Sequence, residues 1–437
     1  IASGLLRHVR AFEDIRSRGP ELRVEQKRRE DTSKARYGIL KLQRHTEALN
    51  MTAAHREVAV IGGSAAGFFT AYLLARGGRK VQVLERAEQL DPAPRTLIVT
   101  RRMLDLLGPA GEDCVVNEIR QFELFTDGRA AQVSLERPDL IIERASLIRG
   151  LAAQAQKAGV DVCFGRRFLH LEGNGKALCL TVERSRDGER EQVGAGAVVG
   201  ADGALSRVAQ SAGWPRQKTA PLIQAIVRLP EGFPADTVRV WFIPEDTPYF
   251  YWLIPESPTH GALGLIGQHG QETRRCLEKF LEKRRFTPLS FQGARIPVYT
   301  GWVPVARRVG PGRVYLVGDA ASQVKVTTVG GIVTGFRGAL GVTQAILNGG
   351  YSRELRALRR ELDLHLLMRK VLHQFKQADY SRLVDLLNVS ARRSLGAYTR
   401  DEAARVLWHI CLNQPRLLLL GLRGLLARGS FPRRERD

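Results

Sequence analysis

The stretch of this chain richest in chemistry is Val317–Leu340, VGDAASQVKVTTVGGIVTGFRGAL. An apolar, strand-like run, Val314–Val317, leads into Gly318-Asp319, a short loop, the pair Gly330-Gly331 and an amphipathic helix. Asp319 can accept hydrogen bonds from sugar or ribityl hydroxyls. Gly330 and Gly331 let backbone N–H groups approach a flat ring. The helix that follows directs the positive end of its dipole, roughly half a charge, at whatever lies before it. A ring that becomes anionic on reduction is stabilised there, so the order of parts suits a flavin. The plain alternative is a strand, a turn and a helix with an incidental Asp.

A second segment points the same way. Val58–Glu85, VAVIGGSAAGFFTAYLLARGGRKVQVLE, reads as strand, glycine-rich turn, helix and second strand ending in an acid. Gly62 makes the tight turn and Gly67 allows close helix–strand packing. Glu85 stands where an acid binds a ribose hydroxyl pair. A charge-assisted bond of that kind contributes roughly 1.5–3 kcal/mol. The second glycine of the usual G-x-G-x-x-G is Ser64 here. Its Cβ crowds a phosphate, although its hydroxyl could donate to one. A third segment, Ala197–Arg207, is a buried strand followed by Asp202-Gly203 and Ser206-Arg207.

Three such segments in this order resemble the flavoprotein class that includes aromatic hydroxylases and geranylgeranyl reductases. The resemblance implies that Glu85 binds the adenosine ribose and Asp319 the ribityl chain. It also implies an arginine at the start of the helix that precedes Ala197, which Arg144 matches. The other reading of Arg144 is a helix-start arginine on a solvated face.

Composition sets the frame. The 437 residues suffice for two or three domains with a substantial core, and 44% of them are hydrophobic. No run of about 18 apolar residues occurs, so no transmembrane helix is expected. The five cysteines are scattered without a C-x-x-C pair, which argues for a reducing compartment, no disulfide framework and no zinc site. No signal peptide is visible. The net charge of +22 has three explanations. Arginine usage spread over the surface is one, and attraction to anionic lipid headgroups another. Nucleic-acid binding is the third, and no nucleic-acid motif supports it.

The expected fold class is α/β: an FAD-binding doubly wound, Rossmann-like domain, an antiparallel-sheet substrate domain and a C-terminal helical region. Residues 1–50 are polar, basic and poorly periodic, and are expected to be an upstream or disordered extension before a start at Met51, or else a weak helical arm. The FAD-binding domain is expected to be discontinuous, over 51–115, 140–215 and 305–350. The substrate domain takes 116–139 and 216–304, and the helical region 351–437. Alternation in Pro248–Pro255, PYFYWLIP, puts Tyr249, Tyr251 and Leu253 on one face and Phe250, Trp252 and Ile254 on the other. One face would pack on the core and the other line a cavity near the flavin. Pro415–Arg428 is too short to span a bilayer and fits an in-plane interfacial helix, a cover over a substrate tunnel, or a helix packed on its own domain.

Three features together resemble the geranylgeranyl reductase family. They are GDAASQVKVTTVGGI, the FYWLIP stretch with Trp252 and Pro255 matching a Y-x-W-x-F-P sheet motif, and the basic tail YSRELRALRRELDLHLLMRKVL. The family reduces isolated C=C bonds of isoprenoid chains with FAD. The resemblance therefore implies FAD, an external reductant such as NAD(P)H, ferredoxin or quinol, and an apolar small-molecule or lipid substrate. The scattered cysteines point to a cytoplasmic protein, with peripheral contact at the inner membrane face as one option.

Departures keep other readings open. Where the family often has Cys-Gly-x-Gly, this chain has Arg95-Thr96-Leu97-Ile98, and Val326 replaces a usual proline. Arg95 and the Arg102–Gly108 run look more like aromatic hydroxylases, in which such an arginine touches the flavin. FYWLIP is also close to the W-x-W-x-I-P of flavin halogenases. The alternatives are thus a monooxygenase or halogenase of an aromatic or polyketide-like molecule, and a non-catalytic flavoprotein that binds lipid or a partner.

The candidate cofactor-binding residues are Gly62, Gly63, Ser64, Ala66, Gly67, Glu85, Arg86, Arg95, Arg144, Asp202, Gly318, Asp319, Gly330 and Gly331. The candidate substrate-binding residues are Tyr249, Phe250, Trp252 and Pro255. No catalytic residue and no metal ligand is assigned. Tyr249, Tyr251 and His260 enter as proton donors only through nearness to the sheet motif.

Overall fold

The computed structural model describes residues 58–173 and 177–426. The basic extension over 1–50, the start at Met51 and the last residues of the Pro415–Arg428 segment lie outside the described residues.

The first strand, β1 (Val58–Ile61), is a continuous apolar run and every residue of it is buried. Such runs belong in parallel sheets covered on both faces. β1 pairs in parallel with β2 (Val81–Leu84) on one side and β3 (Ala197–Gly200) on the other. Beyond β3 lies β5 (Gly312–Leu316), again parallel, and an antiparallel edge strand, Ala306–Val309. Asp161–Cys163 closes the opposite edge, making six strands. Between β1 and β2 runs helix α1 (Ala65–Arg76), whose Phe68, Ala71 and Leu74 are fully buried. Each large apolar side chain buried in this way contributes about 1.5–3 kcal/mol. Helix α2 (Arg144–Lys157) and helix α3 (Ile332–Leu347) supply buried faces to the same core.

The second sheet has eight strands and includes β4 (Tyr251–Pro255). It is not antiparallel throughout: Thr237–Trp241 pairs in parallel with Val115–Thr126. It also takes in Thr96–Val99, which pairs with Arg129–Glu143. A third, three-stranded antiparallel sheet spans Arg166–Gly173, Leu178–Arg184 and Arg190–Ala195. Its alternation of buried and exposed residues was present in the sequence but was not singled out there.

The face assignment in PYFYWLIP needs one correction. Tyr251 and Leu253 pack with Leu277 and Phe280 of the Gly270–Arg284 helix, as alternation requires. Trp252 and Ile254 pack on the opposite side with Phe250. Tyr249 joins that second cluster, not the first, because it lies in a bend before β4 begins and the strand alternation does not reach it. Both faces are buried.

The C-terminal region is helical. It consists of α4 (Arg353–Leu372), Gln377–Asp385, and three further helices over Val389–Ala397, Ala403–Asn413 and Pro415–Leu426. Among the described residues no helix is long and apolar enough to cross a membrane.

Candidate functional site

A cavity of about 860 Å³ opens at the C-terminal ends of the parallel strands. Open α/β sheets bind ligands in that place. At its floor is the turn between β1 and α1. Gly62 has φ +105°, and a Cβ there would lie 2.7 Å from the Ala201 carbonyl oxygen. A Cβ on Gly67 would fall 2.3 Å from the Gly62 carbonyl oxygen, so helix and strand touch through this residue. Gly67 sits behind the cavity wall, whereas Gly62, Gly63, Ser64 and Ala66 line it.

Ser64 is committed locally. Its hydroxyl accepts the Gly67 N–H at 3.1 Å, capping α1, and donates to the Ala201 carbonyl at 3.0 Å. The proton that could have gone to a phosphate therefore goes to the protein. The start of α1 remains a place where an anion is favoured.

The acid at the end of β2 is placed by the backbone. The Glu85 carboxylate accepts the Gly63 N–H at 2.6 Å and the Ala87 N–H at 2.9 Å. Arg86 lines the cavity beside it, and its carbonyl accepts the Ser185 hydroxyl. Asp202 also lines the cavity, yet its carboxylate is occupied. It accepts the Ser206 hydroxyl at 2.5 Å and the N–H groups of Arg207 and Val208 at 2.7 and 3.1 Å. Burial pushes its carboxyl up, against the pull of these bonds.

Two arginines and an acid form the polar centre. Arg95, Arg144 and Asp319 all line the cavity. Burial pushes the Asp319 carboxyl up, and the Arg95 and Arg144 guanidiniums pull it back toward its charged form. Burial likewise pushes both guanidiniums down, and Asp319 opposes this in each. Their placement comes from Glu143, which caps α2. Its carboxylate accepts the N–H groups of Ala145, Ser146 and Arg95 at 3.0, 2.7 and 3.2 Å. Burial would raise the Glu143 carboxyl, and these three bonds overcome it and hold it down. Arg144 donates to the Ala93 carbonyl at 3.2 Å, while Arg95 Nε is buried without a partner.

The glycine-pair loop closes the site. Gly318 has φ +60° and its N–H donates to the Gln323 side chain at 2.7 Å. Gly331 caps α3 and lines the cavity; a Cβ on it would lie 3.3 Å from Asp319 Oδ1. Gly330 lies one layer back, where its carbonyl accepts the Lys325 N–H at 3.1 Å. Val329, just before the pair, holds φ +53° and also lines the cavity. A β-branched residue there stores roughly 1–3 kcal/mol of strain, and such outliers cluster at binding sites.

Other lining residues carry no local signal in the sequence. Leu222, Arg295 and Ile296 come from the eight-stranded sheet and Phe168 from the small one. None of Tyr249, Phe250, Trp252 and Pro255 is among the lining residues. Trp252 is buried with its indole N–H unpartnered, and the Pro255 carbonyl accepts the Asn117 amide at 3.0 Å. Tyr251 is turned away: its hydroxyl donates to Asp246 at 2.9 Å, and burial and that carboxylate push its pKa well up. His260, at the start of its own strand, bonds Thr259 of the turn before it. Among the described residues no group of three or more metal-ligating side chains gathers.

The arrangement fits FAD. The glycines at 62 and 67 let the first turn and helix pack closely beneath the cavity, Glu85 and Asp319 offer acceptors for hydroxyls, and the starts of α1 and α3 offer N–H groups and positive dipole ends.

Known proteins agree with this reading. The family model described as an FAD binding domain matches residues 55–348. The chain is 29% identical over 314 residues to digeranylgeranylglycerophospholipid reductase 2 of Methanothermobacter thermautotrophicus, covering 63% of this chain and 74% of that one. Among solved structures, a geranylgeranyl bacteriochlorophyll reductase-like protein from Thermoplasma acidophilum superposes with a TM-score of 0.70 at 20% identity, over 84% of this chain and 99% of that one. A flavin-dependent halogenase superposes less well, with a TM-score of 0.57 at 16% identity, over 84% of this chain and 72% of the other. With the matched region spanning both halves of the parallel sheet and the glycine-pair loop, the chain belongs to the FAD-binding domain family.

Proposed function

We propose that this protein is an FAD-dependent reductase that saturates C=C bonds in an isoprenoid chain of the geranylgeranyl type or a similar lipid. The observation that carries the reading is the apolar part of the cavity wall, Leu222, Ile296 and Val329, which backs onto the packed core of the large sheet. Ile119, Val238, Trp252, Ile254 and Ile266 are buried in one cluster, and Leu222, Ile296 and Val329 connect that cluster to the cavity wall. An isoprenoid offers such a wall nothing but C–H surface, worth about 0.8 kcal/mol per CH₂-sized unit before ordering costs. The names of similar proteins, geranylgeranyl-type reductases, support the same substrate class.

FAD, when bound, supplies the hydride that an unactivated alkene needs. The chain's own part is to hold and insulate. Glu85 and Asp319 would take the sugar and ribityl hydroxyls. Arg95 and Arg144 would offset part of the cost of burying Asp319. The apolar wall would keep water from the alkene. A reductant such as NAD(P)H, ferredoxin or quinol must come from outside. A lipid substrate also suits peripheral contact with a membrane face, and exposed Trp408 and Leu419 with Arg405, Arg416 and Arg423 suit anionic headgroups.

Arg95 favours a second reading, an FAD monooxygenase or halogenase acting on an aromatic or polyketide-like molecule. It lines the cavity where the resemblance to aromatic hydroxylases puts a flavin-touching arginine.

One experiment separates the two. Holoprotein is photoreduced without oxygen, given a geranylgeranyl lipid and read by mass spectrometry. Gain of hydrogen pairs without oxygen is the expected result. No anaerobic change, with oxygen-dependent NADPH consumption stimulated by aromatic compounds, overturns the reductase reading in favour of the second.

A further inference from the structure

One buried ion pair lies against the glycine-pair loop and is used by none of the roles above. Lys325 Nζ donates to the Asp401 carboxylate, and both side chains are almost fully buried, 5% and 0% exposed. The other oxygen of Asp401 accepts the Thr100 hydroxyl. Lys325 stands in the flavin-type loop, Asp401 just before the Ala403–Asn413 helix, and Thr100 just after the Thr96–Val99 strand. The neighbouring Arg400 pairs with buried Asp139 at 2.7 Å. The dipeptide Arg400-Asp401 thus joins the C-terminal helices to the large sheet and to the loop at once.

The pair is close to where a flavin ring would rest. Lys325 and Gly330 are bonded through their backbones, and a Cβ on Gly330 would meet Lys325 Cε at 3.3 Å and Nζ at 3.8 Å. Gly331, the next residue, lines the cavity and caps α3. The ammonium thus lies against Gly330, one residue from the cavity wall in sequence. Charges in such dry surroundings act more strongly than in water.

We propose that Lys325 and Asp401 form an electrostatic tuning pair for the bound flavin, Lys325 favouring its reduced form and Asp401 limiting that effect from the C-terminal helices. The proposal rests on FAD occupying the cavity. Uptake of two electrons and one proton leaves the flavin ring with one negative charge. The Lys325 ammonium and the α3 dipole both stabilise that charge, and the Asp401 carboxylate opposes it. Both residues are positioning residues, with no contact to substrate required.

The test is the midpoint potential of FAD on the full-length holoprotein, by anaerobic reductive titration against a reference dye. Lys325→Met should shift the potential down and Asp401→Asn should shift it up. Each shift should be at least a tenfold change in preference for reduced over oxidised flavin, about 30 mV for a two-electron couple. K325M/D401L, which removes both charges, should return close to the wild type. A purely structural pair would move both single variants the same way or not at all, and that outcome overturns the proposal. Removing one member of a buried pair strains folding, so the exchanged pair K325D/D401K is measured too. It keeps one charge of each sign but sets the negative one against Gly330, and its potential should fall. An unshifted potential in the exchanged pair also overturns the proposal. Wild-type protein that retains no FAD would instead sink the cofactor assignment on which the pair depends.

Discussion

The Glu85 carboxylate bonds the Gly63 N–H at 2.6 Å, tying the end of the second strand to the phosphate turn. The acid shapes the turn, and in the FAD reading it would also present an acceptor to a ribose. Glu85→Ala should weaken FAD roughly tenfold to a hundredfold, from about 1.5–3 kcal/mol for a hydrogen bond to a charged group. Fluorescence titration of the apoprotein measures this, and unchanged affinity would remove Glu85 from the cofactor site.

Gly67 and Gly330 make a matched comparison. A methyl on Gly67 meets the Gly62 carbonyl oxygen at 2.3 Å, which is backbone and cannot yield. A methyl on Gly330 meets the end of the Lys325 side chain at 3.3 Å, a smaller overlap and with a side chain instead of backbone. Gly67→Ala should cost about 1–3 kcal/mol in urea unfolding and release FAD. Gly330→Ala should keep most of the stability. Equal losses would contradict the packing described for α1.

The indole N–H of Trp252 is buried without a partner. Trp252→Phe breaks no hydrogen bond but leaves part of the core unfilled, and should cost about 1–3 kcal/mol in urea unfolding. Because Trp252 does not line the cavity, FAD affinity should be unchanged. Unchanged stability with weakened FAD binding would place the indole at the site and not in the core.

Acid should destabilise the protein in two steps. His365 bonds Thr327 and is buried beside Lys325; burial, helped by that cation, pulls its pKa from 6.5 to about 3. It stays neutral in the fold while the unfolded chain takes up a proton. Its stabilising share is whole above pH 6.5 and is lost as pH falls toward 3, at up to about 1.4 kcal/mol per pH unit. For Asp401 burial alone would raise the pKa, but Lys325 overrides it and the value falls to about 2. Its share is lost lower, as pH falls from about 4 to 2. Urea unfolding of His365→Gln should show a flatter slope between pH 6 and 4. An unchanged slope would place the imidazole in water.

Much of the site was legible where the signal is local. Gly62, Gly67 and Glu85 lie within one strand–helix–strand unit, so spacing alone brings them together. The Gly318–Gly331 loop could be placed for the same reason, whereas Arg144 was placed only through the resemblance to the flavoprotein class. Tyr249 was assigned to the wrong face because alternation was extended past the true start of β4. The lining residues Leu222, Arg295 and Ile296 reach the cavity through pairing between distant strands. Lys325 and Asp401 are 76 residues apart. No periodicity links a loop lysine to an acid in the tail, so only the fold could join them.

The order of strands in the parallel sheet also governs how the protein is made. β1 is flanked by β2, its near neighbour in sequence, and by β3, whose own outer partner is β5. A nascent chain emerges at about 5–20 residues per second, so β1 waits for β3, and β3 for β5, over an interval on the order of tens of seconds. During that time apolar strand edges stand open, a hazard that ends only when the final parallel strand leaves the ribosome. Chains cut short before Gly312 should accumulate as aggregates or chaperone clients, and release from chaperone should coincide with synthesis of the glycine-pair loop.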